Sequence, residues 1–306
     1  MQYFDLKVGY SCNNDCIHCV VADKRETEDL TTEKIKEIIR GRGKNDVICF
    51  TGGEPTIRSD FIEIIKYAKE RCGGVVLQTN GVRFSDEDFA REAAKYIDSI
   101  LIAVHSFNSR VHDKIVQQNG MHDKTVRGLK NIVKLKIPHK TQTVISSLNI
   151  NYLKETYDFI QSISPDTKMN MTYPHLMGNA YNNKELVSVP YSKIKKDIHR
   201  ALEAYGDKID TEAIPPCYLY PFHDIVKSSE EDLIELKKKK EKRMQGVDFG
   251  DKLCPIKDDY VSLMLSDRRK GFKCGACIFN EKCAGVWKEY IEIYRDNLDL
   301  IPITKY

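Results

Sequence analysis

The sequence predicts an α/β fold, in which a parallel sheet of six strand–helix units, closed or partly closed into a TIM-like (β/α)6 barrel, precedes a small cysteine-rich C-terminal domain. Three observations predict it. Apolar segments of about five residues alternate strictly with segments of helical period from Gln2 to Tyr173. The polar residues able to do chemistry fall just past the C-terminal ends of those short segments, the rim where barrels of this kind bind ligands. Beyond Ala180 the rhythm breaks, and five of the ten cysteines gather in the C-terminal portion of the chain.

Gln2 to Gly9 reads as a first strand, and Thr31-Thr32 starts a helix whose stripe is Ile35, Ile38 and Ile39. Asp46 to Phe50 is a short buried strand. Ser59 to Arg71 is a helix with Phe61, Ile64, Ile65 and Ala68 on one face. The unit then repeats: strands over 75–78, 99–104, 140–145 and 168–173, with helices over 86–96, 124–135 and 151–163. Tyr191 to Tyr205 predicts a helix that leaves the barrel, and Pro215-Pro216 marks a boundary. A charged helix over 229–243 and a closing amphipathic helix over 286–298 complete the pattern. The expected division is a barrel over 1–180, a helical linker over 181–216 and a cysteine-rich domain over 217–306.

A chain of 306 residues, 41% hydrophobic and 30% charged, can bury a substantial core. Its net charge of +3 makes no strong case for nucleic acid. The basic run Lys237 to Arg243 reads as a solvated helix face. No apolar run approaches the roughly 18 residues needed to span a bilayer, and no signal-peptide pattern opens the chain, so a cytoplasmic protein with no membrane partner is expected. In that reducing setting the cysteines read as metal or redox ligands rather than as a disulfide framework. Cys49 and Cys72, in apolar or helix-end settings, read as packing residues.

Directly after the first strand, Cys12, Cys16 and Cys19 follow the spacing Cys-x3-Cys-x2-Cys through Asn13, Asn14 and Asp15, residues suited to an open loop. Three thiols are one short of a saturated structural zinc or electron-transfer iron–sulfur site. Taken alone, they leave zinc, a disulfide and a cluster open. Thr51-Gly52-Gly53-Glu54-Pro55 follows the second strand. The glycines suit a backbone that approaches a ligand closely, and Glu54 reads either as a ligand acceptor or as a first-turn acid.

Together the two motifs resemble the radical S-adenosylmethionine (SAM) family. The resemblance implies a [4Fe-4S] cluster on Cys12, Cys16 and Cys19 whose unique iron binds the amino and carboxylate groups of SAM, and reductive cleavage of SAM to a 5′-deoxyadenosyl radical. It further implies a flavodoxin- or ferredoxin-type reductant. It places Gly52, Gly53 and Glu54 at the SAM ammonium, His18 near the adenine, and Thr79, Asn80 and Ser106, with Asn149 less directly, at the ribose and carboxylate. His105 ends the fourth strand and is either substrate-facing or a satisfied core histidine. His105-Ser106-Phe107-Asn108 and Val111 to Lys114 resemble the fourth-strand loop of the family. Tyr173-Pro174-His175 and Gly178-Asn179-Ala180 resemble its sixth-strand end.

Near the C-terminus, Cys274, Cys277 and Cys283 form Cys-x2-Cys-x5-Cys, with Gly275, Ala276 and Gly285 small enough for close backbone approach. With one remote thiol they could build a closed zinc site. Beside the N-terminal motif they are similar to the twitch domain, a shortened relative of the SPASM auxiliary-cluster domain. That similarity implies one auxiliary [4Fe-4S] cluster on Cys217, Cys274, Cys277 and Cys283. Cys254 is left as a spare thiol, a substrate-facing catalytic residue or the true fourth ligand.

The expected activity is hydrogen-atom abstraction by the deoxyadenosyl radical in peptide or protein modification of the RiPP type. The alternatives are radical modification of a small molecule, nucleotide or sugar, and a zinc- or cluster-binding module without turnover. Two absences weaken the peptide reading and leave the small molecule as runner-up: the chain starts at the first strand, without the N-terminal peptide-binding domain of many maturases, and it ends in Ile303-Thr304-Lys305-Tyr306 rather than the paired glycines of molybdopterin-precursor cyclases.

Overall fold

The computed structural model describes residues 2–228, 234–235, 244–249, 253–255, 265–294 and 300–304. The predicted charged helix over 229–243 lies almost wholly outside the described residues, as does the end of the predicted closing helix.

Six strand–helix units form as the sequence pattern requires. The strands are β1 (Gln2–Lys7), β2 (Asp46–Thr51), β3 (Gly74–Thr79), β4 (Ser99–Ala103), β5 (His139–Val144) and β6 (Lys168–Thr172). Between them run α1 (Thr32–Arg40), α2 (Phe61–Arg71), α3 (Glu87–Ala93), α4 (Ser109–Val116), α5 (Met121–Lys134) and α6 (Leu153–Ile163). Several helix starts are fixed by side chains. Thr31 Oγ1 accepts from Lys34 N, Asp86 from Asp88 N and Phe89 N, and Asn108 from Arg110 N and Val111 N; each such cap contributes about 1 kcal/mol.

Adjacent strands pair in parallel and in sequence order from β1 to β6. Every second residue faces the helices and is fully buried: Phe4, Leu6, Ile48, Phe50, Val75, Leu77, Ile100 and Ile102. The alternate residues, among them Asp5, Lys7, Thr51, Gln78, Gln142, Asn170 and Thr172, form a polar face that is largely half-buried and lines the inside of the curl.

Three features depart from the sequence expectation. Residues 109–116, expected within the loop after the fourth strand, form α4, because Asn108 caps the segment and His112, Ile115 and Val116 give it a buried stripe. After the short helices α7 (Asn179–Asn182) and α8 (Lys184–Val187), α9 (Tyr191–Tyr205) does not leave the barrel. It packs against α6 and returns the chain as β7 (Ile209–Glu212), which pairs in parallel with β6. Tyr191, Ile194, Ile198, Ala201 and Leu202 form its buried side, so its amphipathic stripe serves the barrel core. Third, the sheet grows past six strands at both edges.

After α10 (Pro216–Leu219) comes β8 (Lys227–Ser228), parallel to β7. At the other edge β9 (Met244–Phe249) pairs in parallel with β1, and β10 (Leu253–Pro255) pairs antiparallel with β9. The result is an open, curled half-barrel in the order β10-β9-β1-β2-β3-β4-β5-β6-β7-β8. A separate two-stranded ribbon, β11 (Arg268–Arg269) with β12 (Val286–Trp287), brackets the last cysteine motif and leads into α11 (Lys288–Ile293). Among the described residues no helix is long and apolar enough to cross a membrane.

Candidate active site and auxiliary cysteine site

The loop leaving β1 carries Cys12, Cys16 and Cys19, and it is fastened from four directions. Asp29 Oδ1 accepts from Tyr10 N at 2.8 Å and Ser11 N at 3.2 Å. The end of α4 takes hydrogen bonds from Asp15 N and Ile17 N. Arg25 pairs with Asp15 at 2.9 Å and donates to Asn14 O at 2.8 Å. From beyond β6, Asn179 N donates to Cys19 O, while Asn179 Nδ2 donates to Asp15 Oδ1 and Cys16 O. Gly178 makes that approach possible: its φ is +53°, and a side chain there would press on Cys19 O at 2.7 Å. The sixth-strand segment therefore shapes the cysteine loop, a role for Asn179 and Arg25 that motif spacing alone could not disclose.

The three thiols share one electrostatic neighbourhood. Burial pushes Cys12 up to about 11, with Glu54 and Cys19 adding to the rise. Burial likewise drives Cys16 upward, reinforced by Cys12 and Cys19. Buried thiolates that repel one another need a cationic group to become stable ligands. No three His, Cys, Asp or Glu side chains among the described residues are grouped to hold a single metal ion. A polynuclear cluster, which takes its thiolates on different irons, suits more widely spread thiols.

Gly52 and Gly53 serve the same loop. Gly53 N donates to Gly9 O and Glu54 N to Ser11 O, both at 2.9 Å. A side chain on Gly53 would collide with the carbonyls of Tyr10 and Ser11, and one on Gly52 with Gly9 O. The close approach demanded by these glycines is thus to the cysteine-loop backbone.

Glu54 is 3% exposed and gathers the ends of β2 and β3. Its Oε1 accepts from Thr56 N (3.1 Å), Thr56 Oγ1 (2.6 Å) and Thr79 Oγ1 (2.8 Å), and its Oε2 from Asn80 N (2.7 Å). Glu54 caps the turn Pro55–Ile57, and its Oε2 retains a lone pair. Burial raises its pKa, opposed by these hydrogen bonds. Asn80 Nδ2 reaches Asn13 Oδ1 at 2.6 Å, linking β3 to the cysteine loop.

His18 projects from the loop onto His105, the rings meeting edge to face with centroids 4.6 Å apart. Its Nδ1 is buried without a hydrogen-bond partner, and burial lowers its pKa to about 4. His105, 3% exposed, lies between His18 and His112. Val144 N donates to His105 Nδ1 (3.4 Å) and His105 N to His112 Nδ1 (3.3 Å). Burial holds both rings neutral, His105 well below the usual histidine range and His112 at about 4. Ser106 is fully buried and accepts from Asn108 N at 3.1 Å. Asn149 spends its amide on Ser146, His105 O and Val144 O, so it acts as an internal brace.

In the C-terminal region Cys217, Cys274, Cys277 and Cys283 line a single cavity with Pro215, Lys270 and Phe279 among its walls. Burial pushes Cys217 up to about 12, with Cys283, Cys277 and Cys274 each contributing. Burial also lifts Cys283 to about 11. Gly285, at φ +93°, donates to Cys283 Sγ at 3.2 Å and leaves no room for a side chain against Arg269 O, whereas Gly275 faces open space. Cys254 lies on β10, paired with Asp248; its side chain is outside the described residues. The nine cysteines whose side chains are described are all free of disulfides. Both predicted packing cysteines, Cys49 and Cys72, are buried.

The two regions meet where β6 ends. His175 stacks on Trp287 with centroids 3.8 Å and planes 3° apart, and Arg268 covers the indole at 3.4 Å. His175 Nε2 also lies 3.4 Å from Glu289.

A parallel half-barrel whose first loop presents three half-buried thiols, stitched to a Gly-Gly-Glu turn, has the form of a cluster-holding protein with its site at the rim of the sheet. The family model of the radical SAM superfamily matches residues 6–160, and the chain belongs to that superfamily. The family carries a [4Fe-4S] cluster and SAM. Among curated relatives, mycofactocin maturase MftC of Mycolicibacterium smegmatis is 35% identical over 153 residues, 49% of this chain and 39% of that protein. An AdoMet-dependent heme synthase of Methanosarcina barkeri is 27% identical over 165 residues, 52% and 46% of the two chains. The matches thus span less than half of either relative. Two solved structures share the fold. The enzyme anSMEcpe with bound AdoMet and the Cp18Cys peptide has a TM-score of 0.63 at 14% identity, covering 99% of this chain and 92% of that one. Streptococcus suis SuiB bound to precursor peptide SuiA has a TM-score of 0.64 at 13% identity, covering 97% and 73%.

Proposed function

We propose that this chain is a peptide- or protein-modifying radical SAM enzyme working in the reducing cytoplasm, with Cys12, Cys16 and Cys19 as ligands of the SAM-binding [4Fe-4S] cluster. Cys217, Cys274, Cys277 and Cys283 would hold one auxiliary [4Fe-4S] cluster. When bound and reduced, the first cluster supplies the electron that cleaves SAM to a 5′-deoxyadenosyl radical, which removes a hydrogen atom from the substrate. The observation that supports the reading is the placement of half-buried Cys12, Cys16 and Cys19 on one loop whose backbone is hydrogen-bonded to the Gly-Gly-Glu turn at Gly53 and Glu54.

The remaining roles belong to this chain's own groups. Glu54 presents the Oε2 lone pair to the SAM ammonium, and Thr79 and Asn80 fix that carboxylate. Gly52 and Gly53 keep the Gly-Gly-Glu turn against the cysteine loop. His18 directs its unpartnered Nδ1 at the adenine, His105 positions the His18 ring, and Ser106 shapes the neighbouring loop. Cys254 is the candidate substrate-facing catalytic residue. In domain terms, 1–180 supplies the SAM barrel, 181–216 returns along it and adds β7, and 217–306 contributes β8, β9 and β10 to the same sheet as well as the twitch-like auxiliary unit. The named maturases and the precursor-peptide complex among the similar proteins support a peptide substrate.

The test is reconstitution with iron and sulfide under argon, followed by reduction with dithionite in the presence of SAM. Formation of 5′-deoxyadenosine that disappears in Cys12→Ala supports the reading; zinc bound without sulfide, and no deoxyadenosine, would refute it.

A further inference from the structure

The cavity lined by Cys217, Cys274, Cys277 and Cys283 has one cation in its wall, Lys270, and among the described residues no carboxylate lines it. Lys270 is held at both ends. At its root it follows β11, and a side chain on Gly285 would meet Lys270 N at 3.1 Å, so the backbone there is packed tightly against the residue two beyond Cys283. The next residue, Gly271, accepts from Cys274 N at 3.0 Å. At its tip, Lys270 Nζ donates to Asn280 O at 2.6 Å and to Asn280 Oδ1 at 2.9 Å. Asn280 N in turn donates to Cys277 O at 3.0 Å. The side chain therefore runs from the ribbon to the turn between Cys277 and Cys283, along the wall of the thiol cavity.

Both groups that hold the ammonium are neutral, and among the described residues Lys270 has no ion-pair partner. Its neighbours are placed differently. Lys288 pairs with Asp267 at 2.7 Å, while Lys273 and Lys282 are exposed and do not line the cavity. At the N-terminal loop Arg25 likewise donates to a carbonyl between two cysteines, Asn14 O, but Asp15 neutralises it at 2.9 Å. Among the described residues the C-terminal thiols thus face a fixed positive charge that no carboxylate offsets.

We infer that Lys270 is the residue that tunes the C-terminal site, its clamped positive charge raising the reduction potential of the group held by Cys217, Cys274, Cys277 and Cys283. The inference rests on the auxiliary-cluster reading above. When a thiolate-held cluster takes up one electron it gains one negative charge, with no bond made or broken, and a cation beside it stabilises the more negative state. The hydrogen bond from Gly285 N to Cys283 Sγ, at 3.2 Å, acts in the same direction. Lys270 is a tuning residue in this account and touches neither SAM nor substrate.

The experiment is a potentiometric titration with dithionite under argon, followed by electron paramagnetic resonance. It uses the whole chain, reconstituted, with Cys12→Ala/Cys16→Ala/Cys19→Ala as the parent so that the signal comes from the C-terminal site. Lys270→Gln should lower the equilibrium constant for reduction roughly tenfold, about 59 mV for one electron. Lys270→Arg should keep the potential near the parent's, and Lys282→Gln should shift it far less than Lys270→Gln. Iron and sulfide contents matching the parent's show that the site is intact. Should Lys270→Gln lose its iron, Asn280→Ala decides: it keeps the charge but frees the ammonium from Oδ1, and a smaller fall in the same direction is expected. An unchanged potential in Lys270→Gln, an equal fall in Lys282→Gln or, where Lys270→Gln has lost its iron, an unchanged potential in Asn280→Ala would overturn the inference. Bound zinc, or no cluster signal from the folded parent, would sink the auxiliary-cluster reading and the inference with it, an outcome distinct from a cluster whose potential ignores Lys270.

Discussion

His175 lies flat on Trp287, ring centroids 3.8 Å apart, and so joins the end of β6 to the ribbon that brackets the last cysteine motif. Trp287 is 4% exposed and is covered on its other side by Arg268. Trp287→Ala removes both contacts and leaves a cavity, at a cost of about 3–5 kcal/mol. Chemical denaturation should show that loss, and iron analysis of the reconstituted variant should show roughly half the iron gone, from the auxiliary site. Full iron content with unaltered stability would show that the stack does not support the C-terminal site.

The two cysteine groups should fail differently. Cys12→Ala is expected to abolish deoxyadenosine formation, whereas Cys277→Ala should retain SAM cleavage, uncoupled from product. Deoxyadenosine assayed by chromatography separates the cases. Equal loss of cleavage in both variants, each still folded, would contradict separate roles.

Gly53→Ala tests whether the Gly-Gly-Glu turn acts through the loop. The added methyl group collides with the carbonyls of Tyr10 and Ser11, backbone atoms that cannot rotate away. The expected outcome is reduced iron at the N-terminal site, with Cys217, Cys274, Cys277 and Cys283 still loaded. Normal loading of both sites would show that the loop tolerates displacement.

Stability should fall in acid partly through His112. Burial lowers its folded pKa from 6.5 to about 4, so between those values the unfolded chain takes up a proton that the folded chain refuses. Stability from this group is complete above pH 6.5 and declines as pH drops toward 4, by up to about 3 kcal/mol. Unfolding free energies measured across that range should slope less steeply in His112→Asn than in the unaltered protein.

Much of this was legible in the sequence because it is local. Helical stripes such as Ile35–Ile39, five-residue apolar runs and cysteine spacing depend on neighbours a few residues apart, and the structure realises them. Cys217 lines the same cavity as the three later thiols. What escaped depends on distant partners. β7, with its charged residues Asp210 and Glu212, becomes a strand because β6 offers a parallel edge, and β9 is placed by β1, more than two hundred residues away in sequence. α9 carries the same amphipathic stripe whether or not it leaves the barrel, so only its packing against α6 decides. The roles of Asn179, Arg25 and Asp29 around the cysteine loop are likewise tertiary, and no motif announces them.

The most direct test of the central claim is electron paramagnetic resonance of the reduced, reconstituted Cys217→Ala/Cys274→Ala/Cys277→Ala/Cys283→Ala protein, recorded with and without SAM. A single cluster signal that shifts when SAM is added is the predicted result, since three protein thiols leave one iron open to it. A signal indifferent to SAM, or no cluster signal from a folded protein, would contradict the account.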